Sequence, residues 1–247
     1  MLHLQRAQQL AIMKKLADTY HCADCKARHR SVFNQIPLDA IEEVDVGKTC
    51  FQFKRGESIF YEGHTPQGVY CIETGKVKIY RTGPDGKDQI VRLAREGDMV
   101  GYRSLLSGER YSSTASCLEE TTVCFVPKTQ LMALFTRQSC LSMRFMQQAC
   151  HELGEAGKLI TNLAQKSVRE RMAEVLLMLK ETFGLTEDNA LDVRLSREEL
   201  SNLAGTATES CIRVLSDFQQ EGLIRLDGKR IVLESIPRLV RTGRVEE

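Results

Sequence analysis

Residues 146–163 read MQQACHELGEAGKLITNL, and the rest of the chain is organised around them. Apolar residues fall at Met146, Ala149, Leu153, Ala156, Ile160 and Leu163. The alternating three- and four-residue steps keep one narrow seam on one side of a helix. Between them stand mostly polar residues, among them Gln147, Gln148, Glu152, Glu155, Lys158 and Asn162. A helix buried against its own domain shows a wider apolar stripe. A seam this narrow suits a second helix of the same kind and predicts a homodimer interface. The alternative is a surface helix lying on its own domain, because fewer than three heptads fit here. The position of the stretch favours the seam: strands are predicted before it and short helices after it.

Upstream, residues 1–20 carry a loose helical stripe through Leu4, Ala7, Leu10, Ala11 and Leu16. A compact Cys/His/basic stretch follows, His21-Cys22-Ala23-Asp24-Cys25-Lys26-Ala27-Arg28-His29-Arg30, and then a short helix with Pro37 near its start and Ile41 on its apolar side. From about Val44 to Pro127 the pattern becomes short β-type runs: Cys50–Phe53, Ser58–Tyr61, Gly68–Ile72, Lys76–Arg81, Asp88–Leu93 and Thr121–Val126. Glycine-bearing turns such as Arg55-Gly56-Glu57, Thr74-Gly75-Lys76 and Glu96-Gly97-Asp98 separate them. Short strands so punctuated predict an antiparallel sandwich or barrel.

Downstream, Ser167 to Thr182 is strongly helical, with Met172, Val175, Leu176 and Leu179 on one face and Gly184 just past the end. Ser196 followed by Glu199 is a capping box that opens a short helix stopping at Ala204-Gly205. A second helix runs from about Thr206 to Gly222. Two short helices joined at a glycine form a helix-turn-helix. Leu223–Leu226 and Lys229–Leu233 around Asp227-Gly228 form a hairpin, which completes a winged helix. On the second helix Cys211, Val214, Leu215 and Phe218 face inward, leaving Glu209, Ile212, Arg213 and Ser216 on the other face. Arg can bond guanine bidentately, Glu can accept from cytosine and Ile can touch a thymine methyl. Thr206, Thr208 and Ser210, near the helix start, and Ser196, at the start of the preceding helix, are candidates for the same DNA interface. The alternative for Glu209 and Arg213 is an ordinary surface ion pair.

The 247 residues make room for more than one domain, and a net charge of +1 announces no global nucleic-acid partner, so any DNA site must be local. No run of about 18 apolar residues exists, and the start has no apolar signal core, so a cytoplasmic protein without a membrane partner is expected. Enzyme signatures are missing: no glycine-rich phosphate loop, no H-E-x-x-H, and no βαβ context around Cys22-x-x-Cys25. Of nine cysteines most stand singly at strand or helix positions and read as small core hydrophobes. Only Cys22 and Cys25 are close enough in sequence to suggest chemistry.

In order and spacing, Lys54-Arg55-Gly56-Glu57, Glu96-Gly97-Asp98-Met99-Val100-Gly101, the long helix, Val168-Arg169-Glu170-Arg171-Met172-Ala173 and the winged helix resemble the CRP/FNR family of bacterial transcription regulators over about residues 22–236. The resemblance implies an α+β fold: an antiparallel jelly-roll sensor domain of the cyclic-nucleotide-binding type, a long dimerisation helix and a C-terminal winged helix-turn-helix. The corresponding divisions are an N-terminal extension at 1–34, the sensor at 35–138, the dimerisation helix at 139–166, the DNA-binding domain at 167–237 and a tail at 238–247. It also implies a homodimer on an inverted repeat of double-stranded DNA, with RNA polymerase as a partner. The family's Glu and Arg four apart match Glu209 and Arg213. The FNR branch has Ser before that Arg, where this chain has Ile212. A cyclic-nucleotide-type regulatory module without specific DNA readout is the competing expectation, against which the winged helix stands.

Cyclic-nucleotide members of the family carry Glu after the glycine matching Gly101, and an Arg-Ser or Arg-Thr pair before the next strand. Here Tyr102 follows Gly101, and Arg110 stands a few residues early, ahead of Tyr111-Ser112-Ser113-Thr114. Cyclic AMP is therefore not expected, since its phosphate would lack a charge partner. The FNR branch instead holds an iron–sulfur cluster through C-x2-C-x5-C and a central cysteine. Cys22, Cys25 and Cys124 match three of these positions, and Ser31 occupies the fourth. His29 or His21 in place of the missing thiolate, a zinc ion on Cys22, Cys25, His29 and Cys124, a reversible Cys22–Cys25 disulfide and an inactive pair all remain open. In oxygen-sensing members of that branch a carboxylate near the middle of the long helix opposes dimerisation; Ala156 takes its place here.

Overall fold

The computed structural model describes residues 14–15, 21–34 and 36–244. They fall into two compact units divided after His151, with residues 82–91 grouped with the second. Among the described residues no helix is long and apolar enough to cross a membrane.

The described chain up to Pro127 is built mainly on antiparallel strands. In chain order these are β1 (Lys14–Lys15), β2 (Thr49–Phe53), β3 (Ser58–Phe60), β4 (Gly68–Thr74), β5 (Val77–Thr82), β6 (Asp88–Ala94), β7 (Met99–Val100), β8 (Thr114–Cys117) and β9 (Thr121–Pro127). One sheet has the order β1-β2-β9-β4-β7 and the other β3-β8-β5-β6. The expected sandwich is present, and two of its strands were not legible. All four residues of β8 are buried, so it lacks the alternation by which a half-buried strand is read. β7 has only two residues, too few to show a period. At Gly68 a β-carbon would lie 2.3 Å from the carbonyl oxygen of Val126 on β9, so only glycine lets the strands approach this closely.

Helices α1 (Leu38–Gly47), α2 (Tyr102–Ser107) and α3 (Lys128–Arg137) pack with the start of α4 (Ser139–Gln165) on this framework. Their core joins Ile41, Val44, Tyr102, Leu131, Leu141 and Phe145 to Val69 and Val126 of the sheet. The rings of Tyr102 and Phe145 meet edge to face, with centroids 5.4 Å apart. The helix predicted over residues 1–20 is corrected at Lys14–Lys15, which pair as a strand with Phe51 and Gln52 along the free edge of β2. The rest of that prediction lies outside the described residues.

In the second unit α5 (Val168–Phe183) starts from a capping box of Ser167 and Glu170, and α6 (Arg197–Ala204) from the expected box of Ser196 and Glu199. Gly205, at φ +61°, ends α6, and α7 (Thr208–Gln220) follows. The wing pairs β10 (Ile224–Asp227) with β11 (Arg230–Leu233). Asp227 pairs with Arg230, so the turn is centred on Gly228-Lys229, one residue beyond the predicted Asp227-Gly228. Residues 238–243, read from sequence as tail, belong to α8 (Ile236–Gly243), which packs on α5 with Leu239 fully buried. A single apolar turn at the end of a basic segment was too little periodicity to reveal it.

Candidate functional site

The helix-turn-helix positions one set of candidate residues. Cys211, Leu215 and Phe218 of α7 are buried, which turns the opposite face outward. Glu209, Arg213 and Ser216 are exposed there, and Ile212 is 49% exposed beside them. No salt bridge joins Glu209 to Arg213 among the described residues, so the ordinary surface pair does not form. Thr206 and Ser210 are half-buried near the start of α7. Thr208 is oriented differently: its hydroxyl stands 3.1 Å from that of Ser201 and ties α7 to α6. The Ser196 hydroxyl accepts from the Glu199 N–H, 3.0 Å away, as the cap of α6.

Sequence reading missed the residue that fixes the turn. The guanidinium of Arg171 donates to the carbonyl of Ala204 at 2.7 Å, of Lys166 at 2.6 Å and of Gly205 at 3.3 Å. It thereby satisfies helix-end acceptors of both α4 and α6. Arg169 lies over the ring of Phe218, 4.8 Å from its centroid, and pairs with Glu221. The signal was present in the motif Arg169-Glu170-Arg171, but its partners are brought close only by folding.

Along α4 the seam residues divide. Met146, Leu153 and Ile160 are 57%, 72% and 69% exposed, and Ala156 is exposed between them. Ala149 instead packs on the core of the first unit. Leu163 is half-buried, and a β-carbon at Gly205 would lie 2.4 Å from its Cδ2. Met143, Cys150 and Gly157, at helical spacing from these residues, are exposed as well.

The first unit also holds a cavity of about 160 Å³. Cys22, Cys25, Cys71 and Cys124 line it, with Lys48 and Ser31. Strand register explains the convergence. Cys124 on β9 is directly opposite Cys50 on β2 and directly opposite Cys71 on β4. Residues directly opposite on neighbouring strands share a face, so three cysteines form a row across the sheet. The loop bearing Cys22 and Cys25 closes over this row. Its descent is fixed by Cys22, whose N–H donates to Asp45 at 2.8 Å, and by the turn Lys26–Arg30, which lies against Gly97. At Gly97, φ +87°, a β-carbon would lie 2.7 Å from the Ala27 carbonyl.

Lys48 lines the cavity together with the charged residues Asp24, Arg28 and Glu73, and donates to the Cys22 sulfur at 3.0 Å and to the Asp45 carboxylate. Burial pushes the Cys22 thiol up to about 11, against the pull of Lys48. Burial also raises Cys71. The hydrogen bond from Cys124 to Cys50 raises Cys124, with burial acting in the same direction, and holds Cys50 below the ordinary thiol range against the effect of burial. His29 is corrected as a candidate ligand: it is exposed, is not part of the cavity lining, and its Nδ1 is taken by the Lys26 carbonyl. Among the described residues no three His, Cys, Asp or Glu side chains are grouped to hold a single metal ion.

The position expected for a nucleotide carboxylate contact is also occupied by packing. Tyr102 is buried against Phe145, and the rings of Tyr111 and Phe60 stack with centroids 4.0 Å apart. Arg110 donates to the carbonyl of Gly63 at 3.0 Å.

Residues 50–138 match the cyclic nucleotide-binding domain family, and residues 170–242 match the Crp-like helix-turn-helix domain family. The transcriptional activator protein FnrA of Stutzerimonas stutzeri is 31% identical over 222 residues, covering 87% of this chain and 90% of that protein. A CRP-like cAMP-activated global transcriptional regulator of Mycobacterium tuberculosis is 29% identical over 215 residues, covering 86% of this chain and 96% of that one. The structure of FixK2 from Bradyrhizobium japonicum superposes with a TM-score of 0.73 at 25% identity, covering 81% of this chain and 99% of that chain. With a jelly-roll sensor ahead of a winged helix-turn-helix, the chain belongs to the CRP/FNR family of DNA-binding transcription regulators.

Proposed function

We propose that this regulator acts as a homodimer on an inverted repeat of double-stranded DNA and takes its signal at the cysteine cavity. Residues 35–138 serve as sensor and 139–166 as dimerisation helix. Residues 167–237, extended through Gly243 by α8, read DNA. Met146, Leu153, Ala156 and Ile160 form the dimer contact, with Ala149 and Leu163 supporting the helix from within the chain. Glu209 and Arg213 read bases, Ile212 contacts a thymine methyl, and Thr206, Ser210 and Ser196 approach phosphates. Thr208 positions α7 through Ser201 rather than contacting phosphate. The observation that carries the DNA reading is an exposed apolar Ile212 flanked by two charged side chains with no salt bridge between them.

The donor set of the cavity fits a soft, thiolate-bound group, an iron–sulfur cluster in preference to zinc. Such a group would supply a redox- or oxygen-sensitive signal. The mycobacterial relative is named for activation by cAMP; here the buried Tyr102 and the engagement of Arg110 with Gly63 support a different effector. RNA polymerase is the further partner that transcription control requires. The test is a binding-site selection on random duplexes. Recovery of a two-fold repeat with half-sites about one helical turn apart is expected. Recovery of no enriched sequence from either the as-purified or the reconstituted protein overturns the reading.

A further inference from the structure

The motif Cys22-x-x-Cys25 with Cys124 supplies three thiols, and Ser31 stands where a third N-terminal thiol would complete the set. The structure brings a different cysteine to the same space. Cys71 lies mid-strand on β4, directly opposite Cys124, and lines the cavity with Cys22 and Cys25. Cys50, on the other side of Cys124, is not part of the lining.

We propose that Cys71 is the fourth ligand of an iron–sulfur cluster held in this cavity by Cys22, Cys25, Cys71 and Cys124. The proposal rests on the cavity being the sensor site, as argued above, and adds which residue completes it. Three observations carry it. First, four thiols from three separate elements face one space, and four cysteine thiolates are the usual complement of such a cluster. Second, four thiolates on one zinc ion must stand roughly 4 Å from one another, given a tetrahedral site with Zn–S about 2.3 Å. No such group exists among the described residues. The thiols instead surround about 160 Å³, room for several heavy atoms, and a cluster's ligands stand further apart than those of one ion. Third, a cluster with four thiolates is anionic, and Lys48 places an ammonium at the Cys22 sulfur.

Loading balances as a ligand exchange. A preformed [4Fe–4S] cluster bearing four small-molecule thiolates exchanges them for the four protein thiols. Each protein thiol passes its proton to a departing thiolate, and no electron is transferred.

The experiment uses the full chain, loaded anaerobically with a synthetic [4Fe–4S] cluster carrying 2-mercaptoethanolate ligands. Iron, acid-labile sulfide and the Mössbauer spectrum are measured for the parent and for the Cys71→Ala, Cys71→Ser and Cys50→Ala variants. The expected parent has about four iron and four sulfide per chain. Cys71→Ala is expected to lose the four-iron signal. Cys71→Ser, with an oxygen donor, is expected to show one iron site altered or lost. Cys50→Ala is expected to match the parent. Cys71→Ala with the parent's iron, sulfide and spectrum removes Cys71 from the ligand set while leaving the cavity as sensor. If Cys71→Ala fails to fold, an unaltered Cys71→Ser spectrum overturns the assignment equally. A parent that takes up zinc but no cluster overturns both the assignment and the cluster reading of the cavity.

Discussion

The ammonium of Lys48 lies 3.0 Å from the sulfur of Cys22 and also pairs with Asp45, which in turn accepts from the backbone N–H of Cys22. This three-residue tie fastens the cysteine loop to the end of α1. Burial alone would raise the carboxyl of Asp45, but the hydrogen bonds from Lys48 and Cys22 hold it below its ordinary value. Burial likewise disfavours the charge on Lys48, and Asp45 and Cys22 outweigh it, raising its affinity for the proton.

Asp45→Asn should therefore destabilise the first unit by about 1.5–3 kcal/mol, the range for a hydrogen bond to a charged group. The sign with pH follows from the depressed carboxyl. Its contribution is fully present above the unfolded value of about 3.9 and is lost as pH falls through the lower folded value. Denaturant unfolding of parent and variant should differ at pH 7 and converge in strong acid. A gap that stays constant into strong acid means that ionised Asp45 is not the source of the difference.

Ile160 is central to the exposed stripe of α4, and in the proposed dimer a charge there would face its copy. Ile160→Glu should weaken self-association at least tenfold, since burying an unpaired carboxylate costs several kcal/mol. Equilibrium sedimentation at micromolar concentration reads this directly. An undiminished dimer would move the interface elsewhere.

Arg213→Ala should cost roughly 1–3 kcal/mol at one G·C pair per half-site and relax discrimination at that position. Binding to the selected site and to single-base variants of it is measured at one fixed salt concentration. An unchanged ratio between cognate and substituted sites removes Arg213 from base reading.

The winged helix was legible because its signals are local: the Ser196/Glu199 box, the glycine at 205 and the inward triplet Cys211, Leu215 and Phe218 each span no more than about two helical turns. The sandwich was legible from its glycine turns, except at β8, where burial on both faces erased the period. The cysteine cavity was only half legible. Cys22 and Cys25 announce themselves by spacing, but Cys71 and Cys50 read as isolated core residues. Their place beside Cys124 depends on which strands flank β9 and in what register, and that pairing brings Cys124 to cysteines more than fifty residues away. Ala149 and Leu163, placed in the seam by their spacing, are half-buried and also have neighbours within the chain, which spacing alone does not reveal.

Ala156 bears on how a signal taken at the proposed sensor cavity would reach DNA. The resemblance to the FNR branch implies that oxygen-sensing members carry, at the matching position, a carboxylate that opposes dimerisation until the cluster is present. Here the position is a small neutral side chain, exposed between Leu153 and Ile160. Two facing alanines allow close helix approach and bring no like-charge repulsion. The dimer should therefore persist without any group in the cavity, and the signal should shift an equilibrium between two dimer states that differ in DNA affinity. Only the differential affinity of the bound group for the two states can drive that shift. The Cys22→Ser/Cys25→Ser double variant should be dimeric by light scattering, like the reconstituted parent, yet differ from it severalfold in affinity for the selected site. A monomeric double variant beside a dimeric reconstituted parent would mean that the cysteines control assembly, and Ala156 would not be the reason the dimer persists. Equal affinity in two dimers would mean that the cavity sends no signal along the helix.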